Sequence, residues 1–188
     1  MKASFKYPSE STLKAFLIEK QAAFYNYKEK NGTKTKKVPG YDNDLNTIYI
    51  GEGEIAWHKA KEALQTWQQF PSNWTRIYKD NTSIQEGNTV AVLFQLFGIW
   101  WINAARIVYA FDETDRFGFA YGTLHGHVES GEECFWIDRD ESGNIYYHIK
   151  AFSKPAFWGA KLAYPIARRY QRKFVRESME RMKELVNR

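Results

Sequence analysis

The chain has a single cysteine, Cys134, among 188 residues. That excludes an intramolecular disulfide and any metal site built from several thiolates. No apolar run approaches the ~18 residues that a membrane-spanning helix needs, and the N-terminus, MKASFKYPSE, lacks the apolar centre of a signal peptide. A cytoplasmic location is therefore the expectation. Nucleotide-binding glycine patterns are missing too. Gly51-Glu52-Gly53 has neither the third glycine of a dinucleotide fingerprint nor the Gly-Lys-Ser/Thr ending of a phosphate loop, so it reads as a tight strand-to-helix turn. No cofactor is implied.

What the chain does have is aromatic residues, 17% of the total with seven Trp. Large rings bury much area per residue and line ligand cavities well. The net charge of +5 is unevenly placed: residues 150–188 hold 11 basic and 3 acidic side chains, so residues 1–149 are net acidic. The basic segment reads as a long helix capped by Ser153, with Pro155 in its first turn and Ala167, Tyr170, Phe174, Ser178, Met182 and Leu185 on one face. Pro165 should kink or divide it.

Ahead of that helix the pattern turns to strands. Asn88–Phe97, Ala105–Phe111 and Phe117–Leu124 are rich in β-branched and aromatic residues, with an acidic turn at Asp112–Asp115. Glu132–Asp138 and Ile145–Phe152 flank the turn-forming Asp140–Asn144 and read as a hairpin. The sheet is then mainly antiparallel. Further upstream, Ser9 or Ser11 caps a helix, Asn31–Gly40 is a basic loop expected to be exposed, Leu45–Ile50 is a strand, and a helix with Trp57, Ala60, Leu64 and Trp67 on its apolar side follows. On Phe117–Leu124 the alternation puts Gly118, Ala120 and Gly122 on one face and Phe117, Phe119 and Tyr121 on the other. The small face suits either a closely packed helix or a ligand.

Gly51-x-Gly53 with Trp57, Ala60, Ala63-Leu64 and Trp67, then Phe97-Gly98-Ile99-Trp100-Trp101-Ile102-Asn103, Arg106 and Tyr109, resemble a family known as a domain of unknown function. The resemblance continues through Phe117–Leu124, Gly126-His127, Glu129, Gly131-Glu132-Glu133, Ala151-Phe152-Ser153, Pro155, Trp158, Pro165, Arg168, Gln171 and Phe174, and covers the chain from about Phe24 onward. It departs from the family pattern at His125 and Val128, where prolines are usual. That family is placed in the START-like, birch-pollen-allergen-like (SRPBCC) superfamily. The resemblance thus implies an α+β helix-grip fold: a curved antiparallel sheet wrapped around a long C-terminal helix, here with an extra N-terminal helical segment. It also implies a space between sheet and helix that commonly receives a lipid, sterol, hormone or polyketide. A single domain over 1–188 is expected, with an N-terminal helix and exposed loop in 1–44 and the sheet and C-terminal helix in 45–188.

The densest chemistry lies in residues 125–133. If extended, His125, His127 and Glu129 would share one face and resemble a facial metal triad, but Gly126 and Ser130-Gly131 signal a turn that breaks the alternation, so no metal site is assigned. A second reading makes His127 a general acid or base oriented by Glu129 or Glu132. A third has His127 and Glu132 bonding backbone groups and ordering the turn at a cavity rim. Elsewhere, Trp101 and Asn103 share a face that suits an amphipathic ligand. Arg106 sits within an apolar strand and needs either a carboxylate, Glu129 or Glu132, or an anionic ligand. Tyr147 should point inward and Tyr121 belongs to the aromatic face. Trp101, Asn103, Arg106, Tyr121, His127, Glu129, Glu132 and Tyr147 are therefore the candidate ligand-binding residues, and His127, Glu129 and Glu132 the candidate catalytic ones. The expected partner is a small, largely apolar or amphipathic molecule with a polar or anionic group. Arg168–Arg176 alone suits a solvated helix face, so nucleic acid is not the expected partner, and an anionic nucleic-acid or membrane surface stands as the rival. No pattern specifies an oligomeric state.

Overall fold

A computed structural model describes residues 1–188 apart from the Lys161 side chain. The elements are β1 (Lys2–Ser4), α1 (Glu10–Lys20), a 3-10 turn (Gly32–Lys34), β2 (Asp42–Glu52), α2 (Gly53–Gln65), β3 (Thr75–Tyr78), β4 (Thr89–Leu96), β5 (Ile99–Glu113), β6 (Arg116–Thr123), β7 (Glu129–Arg139), β8 (Asn144–Pro155), α3 (Trp158–Leu162) and α4 (Tyr164–Asn187). Strands pair antiparallel in the order β2-β8-β7-β6-β5-β4-β3, with β1 added to the free part of β5. Among the described residues no helix is long and apolar enough to cross a membrane.

Both faces of the sheet are covered. On the concave side Phe119, Phe135, Ile107, Ile137 and Tyr147 meet Trp57 and Leu64 of α2 and Met182 and Val186 of α4. On the convex side α1 buries Leu13, Phe16 and Leu17 against Leu93, Ile102 and Leu124. At roughly 1.5–3 kcal/mol per fully buried side chain, those three residues anchor the helix by several kcal/mol. Ser9 starts α1, its Oγ accepting from the Thr12 amide at 3.3 Å.

The small-residue face of β6 is convex, and neither a helix nor a cavity covers it. The segment after α1 lies there instead, as a strap: Tyr25 pairs with Leu124, and a Cβ on Gly122 would fall 1.9 Å from the Tyr27 hydroxyl. The aromatic face of β6 is the concave one. Within the strap Gly32 and Thr33 are buried, so the loop expected to be exposed is partly interior.

Two local expectations are corrected. Ser153 and Pro155 belong to β8 and do not start a helix; the C-terminal helical segment begins as α3 and restarts as α4 immediately before Pro165, whose missing amide donor is harmless in a first turn. The Asp112–Asp115 turn is shorter than expected, because β5 runs on to Glu113.

Arg106 is also on the convex side, and its partners are carbonyls. Its guanidinium donates to Lys20 O at 3.1 Å, Gln21 O at 2.7 Å and Ala23 O at 2.9 Å, with Nε to Thr89 Oγ1 at 3.2 Å. The carbonyls at and just after the end of α1, with the negative end of its dipole, supply what a carboxylate or an anionic ligand was expected to supply. Arg106→Met should cost about 2 kcal/mol in urea unfolding and speed amide exchange selectively in residues 10–23. A loss below about 0.5 kcal/mol would show that this cap contributes little.

Candidate functional site

The two halves of α4 behave differently. Toward its C-terminus Ser178, Met182 and Val186 are buried, and Ser178 Oγ lies 3.0 Å from the Tyr147 hydroxyl. The N-terminal half stands off the sheet and leaves a cavity of about 560 Å³. Small side chains keep the walls apart: Ala163 just before α4, Ala167 from α4, Ala151 and Ser153 from β8, Gly131 from β7 and Thr123 from β6. Around them stand Phe70, Trp74, Trp101, Tyr121, Tyr170 and Phe174. The composition is that of a ligand site, mostly apolar with a few placed polar groups.

Glu133 projects from the concave face of β7. Tyr121 donates its hydroxyl to Glu133 Oε2 at 2.6 Å, and burial pushes the carboxyl up to about 7. Nearer the mouth, burial likewise raises Glu129 to about 7, and its Oε2 is buried with no hydrogen-bond partner among the described residues. Arg168 of α4 reaches edge strand β2, its Nη1 and Nη2 donating to Asp44 Oδ2 at 2.7 Å and Oδ1 at 3.0 Å, while Nη1 also reaches Gln171 Oε1 at 2.7 Å. Trp101 Nε1 and Asn103 Nδ2 are buried donors without partners among the described residues.

Of the residues singled out from sequence, Trp101, Tyr121, His127, Glu129 and part of Glu132 line the cavity. Asn103 is fully buried between lining residues, its Oδ1 accepting from the Val128 amide at 3.4 Å. Tyr147 points inward as expected but is packed in the core beneath Ser178. Arg106 lies on the opposite face of the sheet. So does the Glu132 carboxylate, which holds the strap: Tyr27 Oη and the Asn31 amide donate to Oε2 at 3.0 Å each, the Thr33 amide donates to Oε1 at 3.1 Å, and Thr33 Oγ1 also bonds Oε1. Glu133, Asp44, Ser153, Arg168 and Gln171 line the cavity and were not in the candidate set. The signal for Glu133 was there, since it shares the parity of inward-facing Phe135 and Ile137.

The acid-base pairing is not formed. His127 Nδ1 accepts from the Glu129 main-chain amide at 2.9 Å, and no carboxylate bonds its ring among the described residues. That bond fixes the proton on Nε2, and burial lowers the imidazole pKa to about 3, so the ring is neutral. A turn with Gly126 at φ 86° sends the exposed His125 away from His127, which removes the metal-triad geometry. Cys134 is buried on the convex face, where burial raises its thiol pKa to about 12.

Fold and cavity together define a helix-grip protein with an apolar chamber beneath its last helix. The profile of the family described as "Domain of unknown function (DUF1990)" matches residues 26–181, and the chain belongs to that family. A UPF0548 protein of Dictyostelium discoideum is 35% identical, over 97% of this chain and 94% of its own. Among solved structures, a hypothetical protein from Helicobacter pylori is similar with a TM-score of 0.59 at 11% identity, covering 78% of this chain and 90% of that one. Ara h 8.0201 is similar with a TM-score of 0.50 at 10% identity, covering 78% and 98%. These two likenesses establish the fold.

Glu132→Ala should cost about 3 kcal/mol or more in denaturant unfolding, because it strands several buried donors at once, and should expose residues 26–35 to proteolysis. Unchanged proteolysis would show that the strap holds without it. Glu133→Gln gives a pH signature. A carboxyl whose folded pKa is raised binds more protons folded than unfolded between about 4.5 and 7, so its stability contribution is present below that window and lost as pH rises through it. The variant should therefore gain stability relative to wild type, by about 1–3 kcal/mol, on going from pH ~5 to ~8. A constant difference across that range would refute the burial effect.

Proposed function

We propose that the protein binds a small, largely apolar molecule in the cavity between the sheet and α4. The supporting observation is the cavity itself: about 560 Å³ lined by small and aromatic side chains, at a place where the same helix packs tightly one half-length further on. A cavity of that volume is in the range that holds a small organic ligand, and an apolar lining with few polar groups is the usual composition of such sites. The His127 arrangement supports binding over acid-base catalysis, because the imidazole is held neutral by a main-chain amide with no carboxylate to orient it.

Native mass spectrometry of protein purified without denaturation should show a retained small molecule, or the emptied protein should brighten the fluorescence of N-phenyl-1-naphthylamine. Ala151→Trp, which fills the cavity from the middle of β8, should abolish that brightening while leaving thermal stability unchanged or raised. Naphthylamine binding that survives Ala151→Trp would place the apolar site elsewhere.

A further inference from the structure

We propose that the molecule held in this cavity carries a protonated amine, and that Glu133 is the group that receives it. The inference rests on the ligand-binding reading above and adds the chemistry of the ligand's polar end.

The charges around the cavity point this way. Among the described residues, the acidic side chains turned to it are Asp44, Glu129 and Glu133, whereas the one lining Lys or Arg is Arg168. Arg168 is already engaged, with two nitrogens on the two oxygens of Asp44 and one also on Gln171. The Met1 ammonium at the rim donates to Gly126 O at 2.5 Å. Among the described residues, Glu129 and Glu133 are thus left in no salt bridge of their own.

Glu133 is the better placed of the two. One oxygen accepts from Tyr121, and among the described residues the other has no protein partner; the residue is half-buried and lines the cavity. A carboxylate in an apolar chamber with one donor is under-satisfied, and an ammonium supplies both the missing donor and the opposite charge. The surroundings suit a cation as well. Phe70, Tyr121 and Phe174 line the same cavity, so aromatic rings are part of the site. Among the described residues, an anionic ligand meets the reverse: two carboxyl groups in no salt bridge, and no lining Lys or Arg that is not already bonded to a carboxylate. Arg106, the residue that suggested an anion, is on the far face of the sheet capping α1.

The test uses three molecules of one apolar body, decylamine, decanol and decanoate, competing with N-phenyl-1-naphthylamine at neutral pH. Decylamine should bind about tenfold or more tighter than decanoate. Glu133→Gln should reduce that preference to within about threefold while leaving decanol within about twofold of wild type. Equal or tighter binding of decanoate by the wild-type protein overturns the proposal while the cavity reading stands, and this arm needs no variant. A preference for amine that persists in Glu133→Gln overturns the role of Glu133. If neither the decyl series nor the naphthylamine binds, the cavity reading fails and takes the amine with it.

Discussion

Side-chain alternation along β7 is the constraint on which both faces of the molecule depend. Glu132 and Glu133 are adjacent in the chain, yet one points to the strap and the other to the cavity. Pairing with β6 at Tyr121↔Glu133 and with β8 at Glu133↔Ala151 fixes the register. A slip of one residue would exchange the two carboxylates and turn Phe135 and Ile137 out of the concave core. The packing of those two residues, both fully buried, therefore also decides which acid is structural and which faces the chamber.

The two acids are satisfied in opposite ways. Glu132 is in no salt bridge among the described residues but accepts hydrogen bonds from Tyr27, Asn31 and Thr33, and a net contribution of about 0.5–1.5 kcal/mol for each is typical. That set fastens residues 27–33 to the sheet and closes its convex side. Glu133 has one donor, Tyr121, and a carboxyl pKa raised to about 7. A carboxyl left partly unsatisfied at a cavity is where binding chemistry is expected, since selection for stability alone would remove it.

The fold was legible from sequence because its signals are local and periodic. Alternation located β6 and β8, Ser9 announced α1, and Pro165 marked the break before α4. Short edge elements were missed: β1 and β3 span three and four residues, too few for a period to show. Candidate site residues were harder, because periodicity says which residues share a face but not which face is concave. Trp101 and Tyr121 line the cavity, although alternation left open which indole faces inward and set Tyr121 opposite the small face weighed for a ligand; Arg106 was drawn toward the site by the cost of burying charge and Glu132 by its nearness to His127. That cost is met by partners distant in sequence, the α1 carbonyls 83 to 86 residues from Arg106 and the strap amides 99 and 101 residues from Glu132. Nothing local announces such partners.

The cavity persists because α4 is held at both ends of its span over β2. Arg168 is bonded to Asp44 near one end, and Asn187 Nδ2 donates to Ile50 O at 2.8 Å near the other. Between them the helix is a stiff rod, so its distance from the sheet is set by the bulk beneath it. Under the C-terminal half that bulk is Tyr147, Met182 and Val186. Under the N-terminal half the facing positions are Ala163, Ala167 and Ala151, which are too small to fill the gap that the rod's own direction creates. Collapse would require bending the helix or breaking the Arg168–Asp44 pair, which is bidentate and only partly solvated. The empty volume is thus a consequence of side-chain size at three alanines and of one ion pair.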